Sequence, residues 1–151
     1  MAPRPHSKKV RARRCAVQAL YQWLLAGQPP NQIIQEFIAD RELVNVDMAY
    51  FSELTKTIPE NYDQLRAFII PHLDRDWQQI GPVEKCVLLV GAYELSSNPE
   101  IPWKVVINEA VGLSKMFGSE DAHKYINGVL DKIAETETRL GLPGAPAPIK
   151  A

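Results

Sequence analysis

The chain has 151 residues, 46% of them hydrophobic and 23% charged, with a formal net charge of -1. That length suits one domain or two small subdomains, and the apolar content excludes a chain too polar to build a core. The near-neutral total hides an asymmetry: six of the 17 basic residues (Arg4, Lys8, Lys9, Arg11, Arg13, Arg14) lie in the first 14 positions, and no acid precedes Glu36. A basic arm on an otherwise acidic body suits a polyanionic partner.

Residues 1–6 hold two prolines and are expected to be disordered. Ser7 can cap a helix that runs to about Ala26 and ends at Gly27, with Pro29 and Pro30 behind it. Its first two turns are basic, and Val17, Leu20, Tyr21 and Leu24 then give an amphipathic remainder. Gln18 and Gln22 in that remainder argue against a secretory signal, so a cytoplasmic protein is expected. A second helix opens at Pro30-Asn31 with Ile34, Phe37 and Ile38 at core spacing. A third opens at Val46-Asp47 with a stripe of Tyr50, Phe51, Leu54 and Ile58. Pro59 should kink or split it, because proline removes a backbone donor and clashes with the preceding turn. The helical pattern resumes from Asn61 to Ile70, and Asp74 to Ile80 reads as a short helix that packs Trp77 and Ile80.

The stretch from Gly81 to Lys132 reads as three helices with their punctuation intact. Cys86 to Tyr93 is eight residues without a charge, apolar almost all round, as in a helix buried inside a protein. Pro82 starts it and Ser96 to Pro99 stop it. The next helix begins near Pro102, with Trp103, Ile107, Ala110, Val111, Ser114 and Phe117 on one face. Gly118 ends it, by the left-handed conformation open to glycine. Ser119 is the expected N-cap of the last helix, with Glu120 and Asp121 in its first turn and Ile126, Val129, Leu130 and Ile133 as its buried stripe. No stretch alternates with a period of two, so the expected class is all-α with about seven helices. The expected layout is an all-helical domain over 7–140, with subdomains of about 7–80 and 81–140. The Pro, Gly and Ala tail at 141–151 is expected to be disordered.

Catalysis finds little support. His6, His72 and His123 are isolated in sequence, and no phosphate-binding glycine loop or HExxH pattern occurs. Cys15 and Cys86 stand in apolar helical contexts without metal-ligand spacing, so neither metal nor cofactor is expected. Two stretches are candidates for binding. In KKVRARR, Arg11 and Arg14 project to one side of a helix, where guanidinium forks can track a phosphate backbone; the alternative is a solvated arm or a targeting signal. In GSEDAHKY, Gly118 and Ser119 present backbone donors, Lys124 adds charge and Tyr125 offers a ring for stacking a base; the alternative is an ordinary helix start with a half-buried tyrosine.

The run PWKVVINEAVGLSKMFGSEDAHKYINGVLDK, preceded in order by ARRCAVQALYQW and VEKCVLLVGAYEL, resembles the NusB family of bacterial transcription antitermination factors over roughly residues 11 to 133. The resemblance implies two three-helix bundles. It also implies a non-catalytic adaptor that binds boxA-type single-stranded RNA with NusE, a small-subunit ribosomal protein, and joins other Nus factors on RNA polymerase during ribosomal RNA transcription. Lys8, Lys9, Arg11, Arg13, Arg14, Gly118, Ser119, Asp121, Lys124 and Tyr125 are the implied RNA contacts. Asp121 serves there as an acceptor for base amino groups, and Tyr125 stands where many relatives carry phenylalanine. Tyr21, Leu25 and Glu84 match partner-facing positions, although Tyr21 also fits a core stripe; Glu84 must face outward for that role. The rival reading is a protein-only helical adaptor whose basic end is a solubilising arm. NusB-like domains also occur fused to RNA methyltransferases, but this chain leaves no room for such a domain.

Overall fold

A computed structural model describes residues 5–41, 43–118 and 121–136, with the side chains of Pro5 and His6 outside the description. Seven α-helices, two short 3-10 turns and no strand occur among the described residues. The chain divides into two compact units, Met1–Pro59 and Glu60–Ala151. The fourth helix therefore belongs with the second unit, not with the first subdomain as its sequence position suggested.

The first unit holds α1 (Pro5–Ala26), α2 (Pro30–Asp40) and all but the last residue of α3 (Met48–Glu60). α1 begins before Ser7, so residues 5 and 6, expected to be disordered, are helical. It stops at Gly27, whose φ of 69° is the left-handed conformation that glycine adopts without steric cost. Ala12, Ala16, Ala19 and Leu20 on α1 are buried, with Ile33, Ile34 and Phe37 of α2 and Tyr50, Phe51, Leu54 and Ile58 of α3. Ile38, expected in this core, is 49% exposed, and Ile33 is buried instead. The Phe37 and Phe51 rings stack with centroids 5.5 Å apart. The start of α3 is fixed by Asp47, whose Oδ1 accepts the Tyr50 N–H at 3.0 Å, as an N-cap does. Pro59 sits in the last turn of α3, where it brings no N–H to the Thr55 carbonyl, and the helix ends one residue later, at Glu60.

The second unit is built around α5 (Pro82–Ser97), which packs against α4 (Tyr62–Ile69), α6 (Trp103–Phe117) and α7 (Ala122–Glu135). Three neighbours leave α5 no wide polar face, and Cys86 through Glu94 are all buried. Gly91 permits the approach of α7: a Cβ there would lie 2.8 Å from a Leu130 methyl carbon. The segment before α5 has 3-10 turns at Ile70–His72 and Trp77–Gln79 in place of the expected short helix. Trp77 and Ile80 are nevertheless buried, and the Trp77 indole N–H donates to the Tyr62 hydroxyl at 3.0 Å. On α7 the expected stripe of Ile126, Val129, Leu130 and Ile133 is buried. On α6 the buried face is rotated from the expected one. Val106, Ile107, Ala110, Leu113 and Ser114 face inward, whereas Trp103 is 50% exposed and Val111 and Phe117 are half-buried. The expected disorder at 1–4 and 141–151 and the expected Ser119 cap fall outside the described residues.

Candidate nucleic-acid interface

The basic end of α1 has two sides. Lys8, Arg11 and Arg14, spaced three apart along the helix, are exposed. Lys9 and Arg13, spaced four apart, turn inward instead, with their cationic heads 5.0 and 5.6 Å from the centroid of the Tyr50 ring. Arg13 is only 2% exposed. Arg13, an RNA contact implied by the resemblance, is thus not on the exposed side of the helix with Arg11 and Arg14. A guanidinium buried on an aromatic face anchors α1 to the start of α3, and the Asp47 N–H donating to the Lys8 carbonyl at 3.2 Å reinforces that junction.

The link between α6 and α7 is shaped by close approach. Gly118 adopts extended backbone (φ -97°, ψ -176°), not the left-handed conformation expected of it. Glycine is needed there for another reason: an added Cβ would sit 2.8 Å from the Ser114 carbonyl oxygen and 3.1 Å from Glu84 Oε1. The Gly118 N–H donates to Ser114 O at 2.8 Å, so it is not the open anion donor that the sequence suggested. α7 then starts at Ala122 with Asp121 at the cap position, and the exposed Asp121 and Lys124 pair at 3.8 Å. An exposed pair of this kind is weak and easily rearranged.

A cleft of about 460 Å³ opens beside this link, lined by Arg75, Gln79, Ile80, Gly81, Glu84, Asp121, Ala122 and Tyr125. It brings together Asp121 and Tyr125, the expected base contacts, with Glu84, the expected partner contact. Glu84 lies over Gly81 and Gly118 and so closes the wall between α5 and the α6–α7 link. Tyr125 is half-buried with its hydroxyl sealed from solvent, and burial pushes that hydroxyl above its ordinary pKa. The Arg75 guanidinium sits 4.2 Å from the Tyr125 ring centroid, and its Nε lies 2.8 Å from Asp74 Oδ1. That hydrogen bond holds the Asp74 carboxyl below the usual carboxylate range. Sequence reasoning missed Arg75 and Gln79. They stand some fifty residues from Tyr125 in a stretch that reads as an ordinary short helix, and no local pattern links them to the cleft.

At the other end of α1, Tyr21 and Leu25 are 39% and 59% exposed, one turn apart. Tyr21 is thus a surface residue and not part of the core stripe. Among the described residues no group of three or more His, Cys, Asp or Glu side chains is placed to hold a metal ion. No helix among them is long and apolar enough to cross a membrane.

Comparison with known proteins matches the NusB family model to residues 10–135. Similar proteins include the transcription antitermination protein NusB of Pasteurella multocida (strain Pm70), 46% identical over 143 residues that cover 92% of this chain and 99% of the relative. The protein of the same name from Shewanella loihica is 44% identical over 127 residues, covering 84% and 95%. A solved structure of the antitermination factors NusB and NusE in complex with dsRNA superposes with a TM-score of 0.76 at 29% identity, covering 83% of this chain and 95% of that one.

Proposed function

The chain belongs to the NusB family, and from that premise we propose that it is a transcription antitermination factor, a non-catalytic adaptor that binds RNA together with NusE. The target is boxA-type single-stranded RNA. The setting is the antitermination complex that other Nus factors form on RNA polymerase in the cytoplasm. The observation that carries this reading is the exposed row Lys8, Arg11 and Arg14 on a helix with no carboxylate in it. Such a row attracts a phosphate backbone whatever its sequence. Base selection falls to the cleft: Tyr125 supplies a ring, Asp121 an acceptor for amino groups and Lys124 a nearby charge, with Gly118 and Ser119 as further RNA contacts. Lys9, half-buried on Tyr50, contributes charge at second remove. Tyr21 and Leu25 form the NusE-facing patch, and Glu84, the third partner-facing position, is set in the cleft wall.

The test is a fluorescence titration of labelled boxA-like, scrambled and duplex RNA, with and without NusE. Three exposed cations neutralise about three phosphates, so this row alone should make log affinity for a single strand fall against log salt with a slope of about -2. NusE should strengthen binding, and RNA should strengthen NusE binding by the same factor. A protein that ignores all three RNAs at low salt, with NusE present, refutes the proposal and leaves a protein-only adaptor. Preference for the duplex over the single strand would move the target to double-stranded RNA, the form held by the solved relative.

A further inference from the structure

We propose that Arg75 is an RNA-binding residue that trades places with a nucleobase: in the free protein its guanidinium covers the Tyr125 ring, and in the complex a base takes the ring while Arg75 turns to the RNA backbone. The inference rests on the RNA-binding reading above and names a residue and a movement that the reading lacks.

Four observations carry it. Among the described residues Arg75 is the only cation lining a cleft that also presents the carboxylates of Glu84 and Asp121. A polyanion enters such a cleft only if a cation there meets its phosphates. Second, the guanidinium at 4.2 Å occupies a face of the ring that a stacked base needs. Third, the ring itself is held by packing, because Tyr125 is half-buried on α7 and Ile126 beside it in sequence is buried. Arg75 is the movable half of the pair, on a bend between two 3-10 turns. Fourth, what holds Arg75 is weak: the Arg75 and Asp74 side chains are 47% and 61% exposed, so their ion pair is screened by water and salt. A base presents a flat surface larger than a guanidinium, and the released Arg75 offers phosphate a fork of charge-assisted donors in place of one carboxylate.

The experiment uses the full chain with Arg75→Gln, Arg75→Lys and Asp74→Asn, each first matched to the unsubstituted protein in thermal melting. Arg75→Gln should bind single-stranded RNA about tenfold more weakly, with a salt slope shallower by about 0.7, the signature of one lost phosphate contact. Arg75→Lys should keep the slope and lose part of the affinity, and Asp74→Asn should bind more tightly. In the unsubstituted protein the Arg75 Nε–H resonance, shifted by the Tyr125 ring current, should move towards its ordinary position when RNA is added. Unchanged affinity and slope in Arg75→Gln, or tighter binding, overturns the inference, as does an Arg75 resonance that stays in place in the complex. Failure of the unsubstituted protein to bind RNA would instead overturn the functional reading, and this inference with it.

Discussion

Replacing Arg13 by alanine separates the two kinds of basic residue on α1. The side chain is 2% exposed with its guanidinium 5.6 Å from the Tyr50 ring centroid. A desolvated cation on an aromatic face is worth about 2 kcal/mol, and each of the three buried stem methylenes adds roughly 0.8 kcal/mol. Part of that sum is returned when the guanidinium no longer has to leave water on folding, which leaves a net loss of about 2–3 kcal/mol. For a chain of this size the melting temperature should drop by about 5–10 °C, followed by circular dichroism. The salt slope for RNA binding, measured where the variant is folded, should stay at its unsubstituted value. Arg11→Ala should do the reverse, leaving the melting temperature alone and making the slope shallower by about 0.7. An Arg13→Ala variant that melts normally but loses slope would refute the division of labour drawn from burial.

Tyr125→Ala should lose on the order of 1–3 kcal/mol of RNA affinity with little change in salt slope, and Tyr125→Phe should keep most of it; both are read in the same titration. Gly91→Ala should destabilise by about 1–3 kcal/mol, because its Cβ would meet Leu130 at 2.8 Å. The double variant Gly91→Ala with Leu130→Ala should cost less than the sum of the single ones in denaturant melts. Burial pushes the Cys86 thiol up to about 12 from 9.0, so above pH 9 the unfolded thiol ionises while the folded one stays neutral. Its contribution to stability should therefore be intact below pH 9 and fall as pH rises towards 12, a trend absent in Cys86→Ala. Native protein should also resist alkylation at Cys86, checked by mass spectrometry.

The legible parts of the fold are those where one periodicity had no competitor. On α7, Ile126, Val129, Leu130 and Ile133 are the only large aliphatic side chains and all are buried. α5 has no polar side wide enough to face water. α6 was harder, since Val105, Val106 and Ile107 put three apolar residues in a row, and the phase of the buried face is then decided by its neighbours α5 and α7. Trp103, Val111 and Phe117 share the spacing of Ile107, Ala110 and Ser114, but the neighbours bury Val106 and Leu113 in their place. The burial of Arg13 has a signal in the sequence: it stands four residues before Val17 and seven before Leu20, in register with the buried stripe. Arg75 had no such signal, because only the folded chain brings it to Tyr125.

The burial of Arg13 and the placing of Glu84 together change how affinity and selectivity divide. Read as a run, KKVRARR is a uniform cationic arm; folded, it is a row of three exposed cations with two others turned onto Tyr50. Read as a partner contact, Glu84 belongs elsewhere; folded, it lines the same cleft as Asp121. Two carboxylates disfavour a phosphate and accept amino and imino groups, so they oppose binding of a backbone while rewarding a base that presents donors. On the proposed reading, non-specific attraction therefore belongs to Lys8, Arg11 and Arg14, joined by Arg75, and discrimination among bases belongs to the carboxylates of the cleft. On that division, variants of the α1 cations weaken every RNA alike, whereas variants of Glu84 and Asp121 change the ranking of RNAs, which a competition series with single-base changes in one strand resolves.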